Sequence, residues 1–229
     1  MMPFLKDLRA DLMKMSAKLE AAIRAEIIKS ENEKKDIDIE PSRNELILRT
    51  AIKELGVKEI QGSGNNQRVV EYHKFASKSN KVEQPDSVPW CSSFVCFVVE
   101  HCIPAFNNPD GKPMSSTNSM MARSWEKWGI STKKYPMAGD IAVFWRGSKT
   151  GWQGHVAILL RVNKDGSLVC IGGNQNDEVN ITTFSASRLL DIRRSSKARV
   201  YDDEEAAVLY TIAHNIINGK ILVGEGKLT

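Results

Sequence analysis

The 229-residue chain has few of the features that mark membrane proteins, exported proteins and metal-binding modules. It has no run of about 18 apolar residues, the length that a membrane-spanning helix needs. Charges recur from Lys6 onward, so the N-terminus has no continuous apolar segment of the kind found in a signal peptide. No CxxC pair occurs in the sequence. These absences predict synthesis in the cytoplasm, no membrane span, no bound metal and no other cofactor.

Charge and cysteine content exclude further classes of protein. The formal net charge of +4 is compatible with an anionic polymer as target, but it is too weak to indicate nucleic-acid binding. Cys91, Cys96, Cys102 and Cys170 are expected to be free thiols, because a chain made in a reducing compartment seldom keeps disulfides. The spacing of Cys91 and Cys96 directs them to different faces of one helix, which argues against a zinc site.

The hydrophobic pattern changes from helical to strand-like along the chain. Apolar spacing predicts helices near residues 46–55, 68–76, 91–102, 118–128 and 202–218. A capping box, with Ser42 as N-cap and Glu45 three residues on, opens the first of them. Short β-branched runs at 140–145, 155–162, 168–171, 179–183 and 189–194 predict strands, with a hairpin turn at 163–166. Helices followed by antiparallel strands indicate an α+β fold.

The N-terminal segment is predicted to be a separate element. Residues 4–28 carry an amphipathic stripe with 3-and-4 spacing, followed by a charged stretch at 31–41 that is typical of a linker. The helix could pack on its own domain or act as a docking arm, and the linker favours the arm. The predicted organisation is an arm at 1–30, a linker at 31–41, a main domain at 42–200, and a C-terminal helix and tail at 201–229.

One cysteine lies where a thiolate would be stabilised. Pro89-Trp90 precedes Cys91, and an apolar run long enough for three helical turns begins there. Proline suits the entry to a helix, and the first helical turn offers unpaired N–H groups and the positive end of the helix dipole. Cys91 is therefore a candidate nucleophile, and its own backbone N–H is a candidate oxyanion donor.

A thiolate nucleophile needs an imidazole within reach and a group that orients the ring. His73 lies in a polar helix, His101 lies ten residues along the Cys91 helix, and His214 lies in the C-terminal helix. His155 follows Gly154 and starts a predicted core strand, so we expect it at the rim of a sheet. The alternative is a histidine that simply begins a strand.

The orienting group is expected at the end of the next strand. Gly172 and Gly173 would allow close backbone approach, and Asn174 or Gln175 could accept from or donate to a ring nitrogen. The alternative is an ordinary polar turn.

These motifs, in this order, resemble the CHAP/NlpC-P60 superfamily of cell-wall hydrolases, and its phage and prophage branch in particular. The similarity covers roughly residues 45–193. It implies a papain-like fold, with the Cys91 helix packed on an antiparallel sheet, and cleavage of peptidoglycan amide bonds. The motifs are PWCSSFV from Pro89, ARSWEKWG from Ala122, MAGDIAVF from Met137, GHVA from Gly154 and GGNQ from Gly172.

The resemblance implies that Cys91 is the nucleophile, His155 the general base and then acid, and Asn174 the orienting residue. Many members carry Glu two positions before the Asn, where this chain has Gly172, so any auxiliary acid is unassigned. Four further residues lie near enough in sequence to line a substrate groove, although core packing is an equal alternative for the tryptophans: Trp90, Trp145, Trp152 and Gln175.

The leading hypothesis is a cysteine amidase or endopeptidase, a phage or prophage lysin, that acts on peptidoglycan at the bacterial cell wall. The alternative is a structural or adaptor component of a phage tail or injection machine, docked through residues 4–28 and associated with the virion. A third is a cysteine hydrolase with a protein substrate, because papain-like folds support many acyl transfers.

Overall fold

The computed structural model describes residues 41–77, 83–102, 115–196 and 203–219. The chain divides into two units, residues 1–40 and 41–229, and every described residue belongs to the second. The amphipathic segment at 4–28 and the linker therefore lie outside the described residues, and the docking-arm hypothesis stays a prediction. None of the helices in the described ranges is both long enough and apolar enough to cross a membrane.

Within the described ranges, four α-helices pack on one face of the sheet. Their bounds are α1 Arg43–Ile52, α2 Gln67–Ala76, α3 Cys91–His101 and α4 Asp203–Ile217. Helix α1 begins where the sequence predicts, because the Ser42 hydroxyl accepts a hydrogen bond from the Glu45 backbone N–H at 3.2 Å. The predicted helix at 118–128 is wrong: a six-residue 3-10 helix, Ala122–Lys127, stands there instead. Asn118 has a φ of 49°, which an α-helix does not admit.

The strands form one antiparallel sheet of six, in the order β1-β6-β2-β3-β4-β5. A second 3-10 helix, Ala186–Arg188, leads into β6. The two-residue β1 was not predicted because it is exposed and too short to show a pattern. The bounds are β1 Ile130–Ser131, β2 Ile141–Trp145, β3 Gly154–Val162, β4 Leu168–Gly172, β5 Asn180–Phe184 and β6 Leu189–Arg194.

The strand residues divide between two apolar clusters, as the alternation of side chains requires. One cluster joins the inner faces of all four helices to strand residues that include Val143, Val156 and Ile158. The other contains the intervening residues Ala142, Phe144, Ala157 and Leu159. Helix α3 packs on α2 and on β3. The α+β, papain-like fold with the Cys91 helix on an antiparallel sheet is thus confirmed.

Asp140 anchors the start of β2 to distant elements. Its carboxylate accepts two hydrogen bonds from the Arg194 guanidinium, at 2.6 and 2.8 Å, and one from the Asn44 side-chain amide at 2.9 Å. The Thr132 hydroxyl and the Met137 backbone N–H also donate to it. This buried carboxylate holds β2, β6 and α1 together, away from the Cys91 end of the sheet.

Candidate active site

Cys91 is the first residue of α3, and Trp90 in the N-cap position supplies no side-chain cap. The N–H groups of the first helical turn are therefore available to an anion at this point. The side chain is 6% exposed. Burial raises the pKa of the Cys91 thiol, while a hydrogen bond from the Val156 backbone and the charge of Arg146 act in the opposite direction. The resting group is thus a thiol with thiolate-stabilising groups around it.

Cys91 lies next to the strand that carries the histidine. Residues 154–157 at the start of β3 pair with β2, whereas the register with β4 begins at Ile158 and Ile171. The Val156 backbone in this part of β3 is within hydrogen-bonding reach of the Cys91 thiol. Cys91 therefore lies beside the residue that follows His155.

His155 is buried at the beginning of β3, with 1% of its surface exposed. Its ring stacks on Phe184 with 5.1 Å between centroids, and Phe184 stacks in turn on Phe144. Burial, followed by the charge of Arg146, lowers the pKa of His155 from 6.5 to about 4. The ring is therefore neutral at physiological pH, as a general base must be.

The hydrogen bonds of the ring select one tautomer. Arg146 Nη2 lies 3.3 Å from His155 Nδ1, and a guanidinium can only donate, so Nδ1 is the unprotonated nitrogen. The Nε2–H group then donates to Gln175 Oε1 at 3.1 Å. The Gln175 amide is itself oriented, because its nitrogen donates to the backbone oxygen and to Oδ1 of Asn180 at 2.7 and 2.9 Å. The lone pair on Nδ1 is thus the basic site.

The residue hydrogen-bonded to the His155 ring is Gln175 and not its neighbour Asn174, which the sequence predicted. Asn174 Nδ2 instead donates to Glu59 Oε1 at 2.7 Å. Asn174, Asn176 and Asp177 in the turn after β4 all have positive φ angles, so the backbone leaves the extended conformation at Asn174 and the strand pattern no longer predicts side-chain directions there. Gln175, expected as a groove residue, is 5% exposed and holds the ring.

Residues 83–174 match the CHAP domain. This match supports membership of the CHAP/NlpC-P60 superfamily, and it points to an amidase or peptidase activity on peptidoglycan. It includes Cys91 and His155 and ends at Asn174, one residue before the glutamine on the ring. No curated protein and no solved structure matches the chain significantly.

Glu59 lies upstream of the CHAP match and links two parts of the site. Its Oε1 accepts hydrogen bonds from Trp90 Nε1 at 2.6 Å and from Asn174 Nδ2 at 2.7 Å. Partial burial raises the pKa of the Glu59 carboxyl, and the acidic neighbours Asp177 and Asp86 add to the rise. No local pattern in the sequence marks Glu59, because its partners are 31 and 115 residues away.

Arg146 is the second residue that sequence reasoning missed. It follows the last residue of β2, and Phe144 in that strand pairs with His155. Side chains two positions apart share a face of a strand, so Arg146 falls on the His155 side. The proximity of Arg146 and His155 could be predicted from the sequence only if the register between β2 and β3 were known.

The three tryptophans predicted to line a substrate groove have different environments. Trp90 is fully buried against Tyr72 and donates to Glu59, so it belongs to the core of the CHAP domain. Trp145 is half-buried and donates to the Ser187 backbone oxygen at 3.1 Å. Trp152 is 70% exposed, in the loop between β2 and β3. Of the three, Trp152 is the most accessible to a ligand.

The remaining histidines and cysteines are in the core or far from Cys91. His73 is buried with Nδ1 3.0 Å from the Ser93 hydroxyl, His101 stacks on Phe97, and His214 bonds Asn218 near the end of α4. All four cysteines are free and buried. Within the described ranges, no three or more His, Cys, Asp or Glu side chains converge into a potential metal site.

Proposed function

We propose that the chain is a peptidoglycan hydrolase that cleaves a stem-peptide amide through a Cys91–His155–Gln175 thiol mechanism. The observation that carries the proposal is the arrangement at the start of β3. There the α3 thiol meets the Val156 backbone, next to a buried histidine whose tautomer Gln175 selects. The CHAP match supplies the substrate class.

In the first step, the Cys91 proton passes to His155 Nδ1 and the sulfur attacks the carbonyl carbon of the amide. Negative charge then develops on the carbonyl oxygen, where the N–H groups at the start of α3 can stabilise it. Gln175 keeps Nε2–H as a donor throughout, so the ring does not rotate away. As the tetrahedral intermediate collapses, the imidazolium gives its proton to the leaving amine.

The acyl-enzyme is then hydrolysed by the same groups. The neutral ring takes a proton from water, and the hydroxide attacks the thioester carbon. The carbon–sulfur bond breaks, the peptide leaves with a new carboxyl group, and the proton returns to the Cys91 sulfur. One water molecule is consumed for each amide bond cleaved, and Cys91 and His155 return to their starting forms.

Cys91→Ala should abolish cleavage of purified murein and leave the fold intact, because alanine fits the buried site and removes only the nucleophile. Mass spectrometry of the soluble fragments measures this, and circular dichroism checks the fold. Cys96→Ala on the same helix is the matched control, since Cys96 is also buried. Equal fragment yields from wild type and Cys91→Ala would refute the proposal, and the fragment masses identify the bond.

The adaptor hypothesis is carried only by the amphipathic pattern at residues 4–28. A phage or prophage lysin and a virion-associated enzyme are both compatible with that pattern. We propose the docking role as a second activity of the same chain, tested below by truncation.

A further inference from the structure

Arg146 is a cation at the catalytic site with no carboxylate paired to it among the residues that the structure describes. Its side chain is exposed at the end of β2. Three other arginines beside the sheet form ion pairs: Arg123 with Glu126, Arg193 with Asp191 and Arg194 with Asp140. Arg161 donates to the Asn163 side-chain oxygen and Arg188 lies over the Trp145 ring, so neither of them contacts the histidine as Arg146 does. Arg146 therefore presents an unneutralised guanidinium at the place where substrate must bind.

The position of Arg146 opposes catalysis when the site is empty. Its Nη2 donates toward His155 Nδ1, the same nitrogen that must accept the Cys91 proton. Its positive charge also disfavours a second positive charge on the ring. At the same time it favours the thiolate form of Cys91. The charge of Arg146 therefore favours ionisation of the Cys91 thiol and disfavours protonation of His155.

We propose that Arg146 binds a free carboxylate of the substrate, close to the scissile amide, and so makes an anionic stem peptide the preferred substrate. A guanidinium offers paired donors in a planar fork that matches a carboxylate. Stem peptides contain acidic residues whose free carboxyl groups are available to such a fork. The inference rests on the hydrolase function proposed above and names its substrate class.

Binding of the substrate carboxylate would also remove the unfavourable effect of Arg146 on His155. The guanidinium would be drawn from Nδ1 toward the carboxylate, which leaves the lone pair free for the Cys91 proton. The negative charge of the substrate would offset the positive charge of Arg146, which adds to the effect of burial in disfavouring imidazolium. An uncharged analogue would leave Arg146 on the ring, so it should be cleaved more slowly even when it binds.

Two synthetic stem peptides test the inference, identical except that one has a free carboxylate and the other a primary carboxamide. Wild type should show a kcat/KM at least about tenfold higher for the carboxylate, the discrimination expected of one charge-assisted hydrogen-bonded pair. R146Q should reduce that ratio to near one. Arg146→Lys, which keeps the charge but loses the fork, should give an intermediate ratio.

Lys149→Gln is the matched control, because it removes one positive charge from the same exposed loop. Its ratio should equal that of wild type, and thermal melting should show all variants folded. An R146Q ratio equal to that of wild type would overturn the inference, as would a wild-type ratio near one. If wild type cleaves neither peptide and does not digest murein, the hydrolase proposal itself fails.

Discussion

At the scale of single residues, the site keeps a neutral histidine beside a permanent cation. Burial already disfavours imidazolium in His155, and Arg146 adds to the effect. A papain-like pair can rest as thiolate and imidazolium, but this environment favours thiol and imidazole. In the proposed mechanism, proton transfer from Cys91 is therefore a step of the reaction, coupled to the arrival of substrate.

The residue that orients the ring can be identified by comparing two neighbours. Gln175→Ala removes the acceptor of Nε2–H and should lower kcat by ~10- to 100-fold, because the tautomer and ring position are no longer fixed. Asn174→Gly removes only the bond to Glu59 and suits the positive φ, so its loss should be smaller. Steady-state kinetics on a soluble stem peptide measures both. The reverse order would assign the role to Asn174.

Burial of His155 also makes stability depend on pH. The folded-state pKa of about 4 lies below the ordinary value of 6.5, so the unfolded chain binds the proton first. The contribution of His155 to the free energy of unfolding is complete above about pH 6.5. It is lost as the pH falls toward 4, by ~3 kcal/mol at most. Urea unfolding at several pH values should therefore show a shallower acid slope for His155→Gln than for wild type. Parallel slopes would contradict this.

The candidate nucleophile and base could be predicted from the sequence because each lies at the boundary of a strongly patterned element. Cys91 starts a long apolar run, and His155 starts a core strand after a glycine loop. The contacts of Gln175, Arg146 and Glu59 could not be predicted. They depend on strand register and on positive φ angles in the turn after β4, which no local pattern encodes.

At the scale of elements, close packing joins the turn after β4 to the start of α3. A Cβ on Gly173 would collide with the Trp90 ring and would lie 2.7 Å from Phe94 Cβ. Glycine is therefore needed for the turn to approach the helix that carries Cys91. The strands were predicted nearly to the residue, since they are β-branched and bounded by turn residues. The 3-10 helix and β1 were not, because both are too short for a period to show.

The buried Asp140 carboxylate, which connects β2 with β6 and α1, should contribute more to stability than the exposed ion pairs do. Its side chain is fully buried, and Arg194 beside it is 12% exposed, so Asp140→Ala would leave a largely buried guanidinium without its partner. The free energy of unfolding should fall by ~3–5 kcal/mol. Urea denaturation measures the loss, with Glu45→Gln as control: the Glu45–Arg49 pair is exposed on the arginine side and should contribute ~0–1 kcal/mol. Equal losses would contradict the assignment.

At the scale of the whole molecule, the folded unit is larger than the CHAP match. The match ends at residue 174, before β5 and β6. Strand β6 nevertheless pairs with β2 inside the sheet, and β1 pairs with β6. Helices α1 and α2 precede the match and contribute Glu59 through the loop between them. Strands β5 and β6 and the loop that carries Glu59 therefore belong to the folded unit although they lie outside residues 83–174.

Deletion of residues 1–40 should leave a cooperatively folding enzyme, because the second unit begins at Pro41. Murein cleavage by the truncated chain should equal that of the full chain, while any assembly into a particle should be lost. Fragment yield, thermal melting and co-sedimentation with particles measure the three properties. A large loss of cleavage would instead indicate that residues 4–28 pack on their own domain, as the sequence left open.

The difference in exposure among the tryptophans gives the protein an optical probe of its own site. Trp90 and Trp125 are shielded from water, whereas the indole of Trp152 is open to solvent in the loop that begins after Arg146. Iodide in solution should quench Trp152 emission selectively and leave the blue-shifted core emission unchanged. Binding of a ligand beside Trp152 can thus be followed by fluorescence in a Cys91→Ala chain, with no label attached.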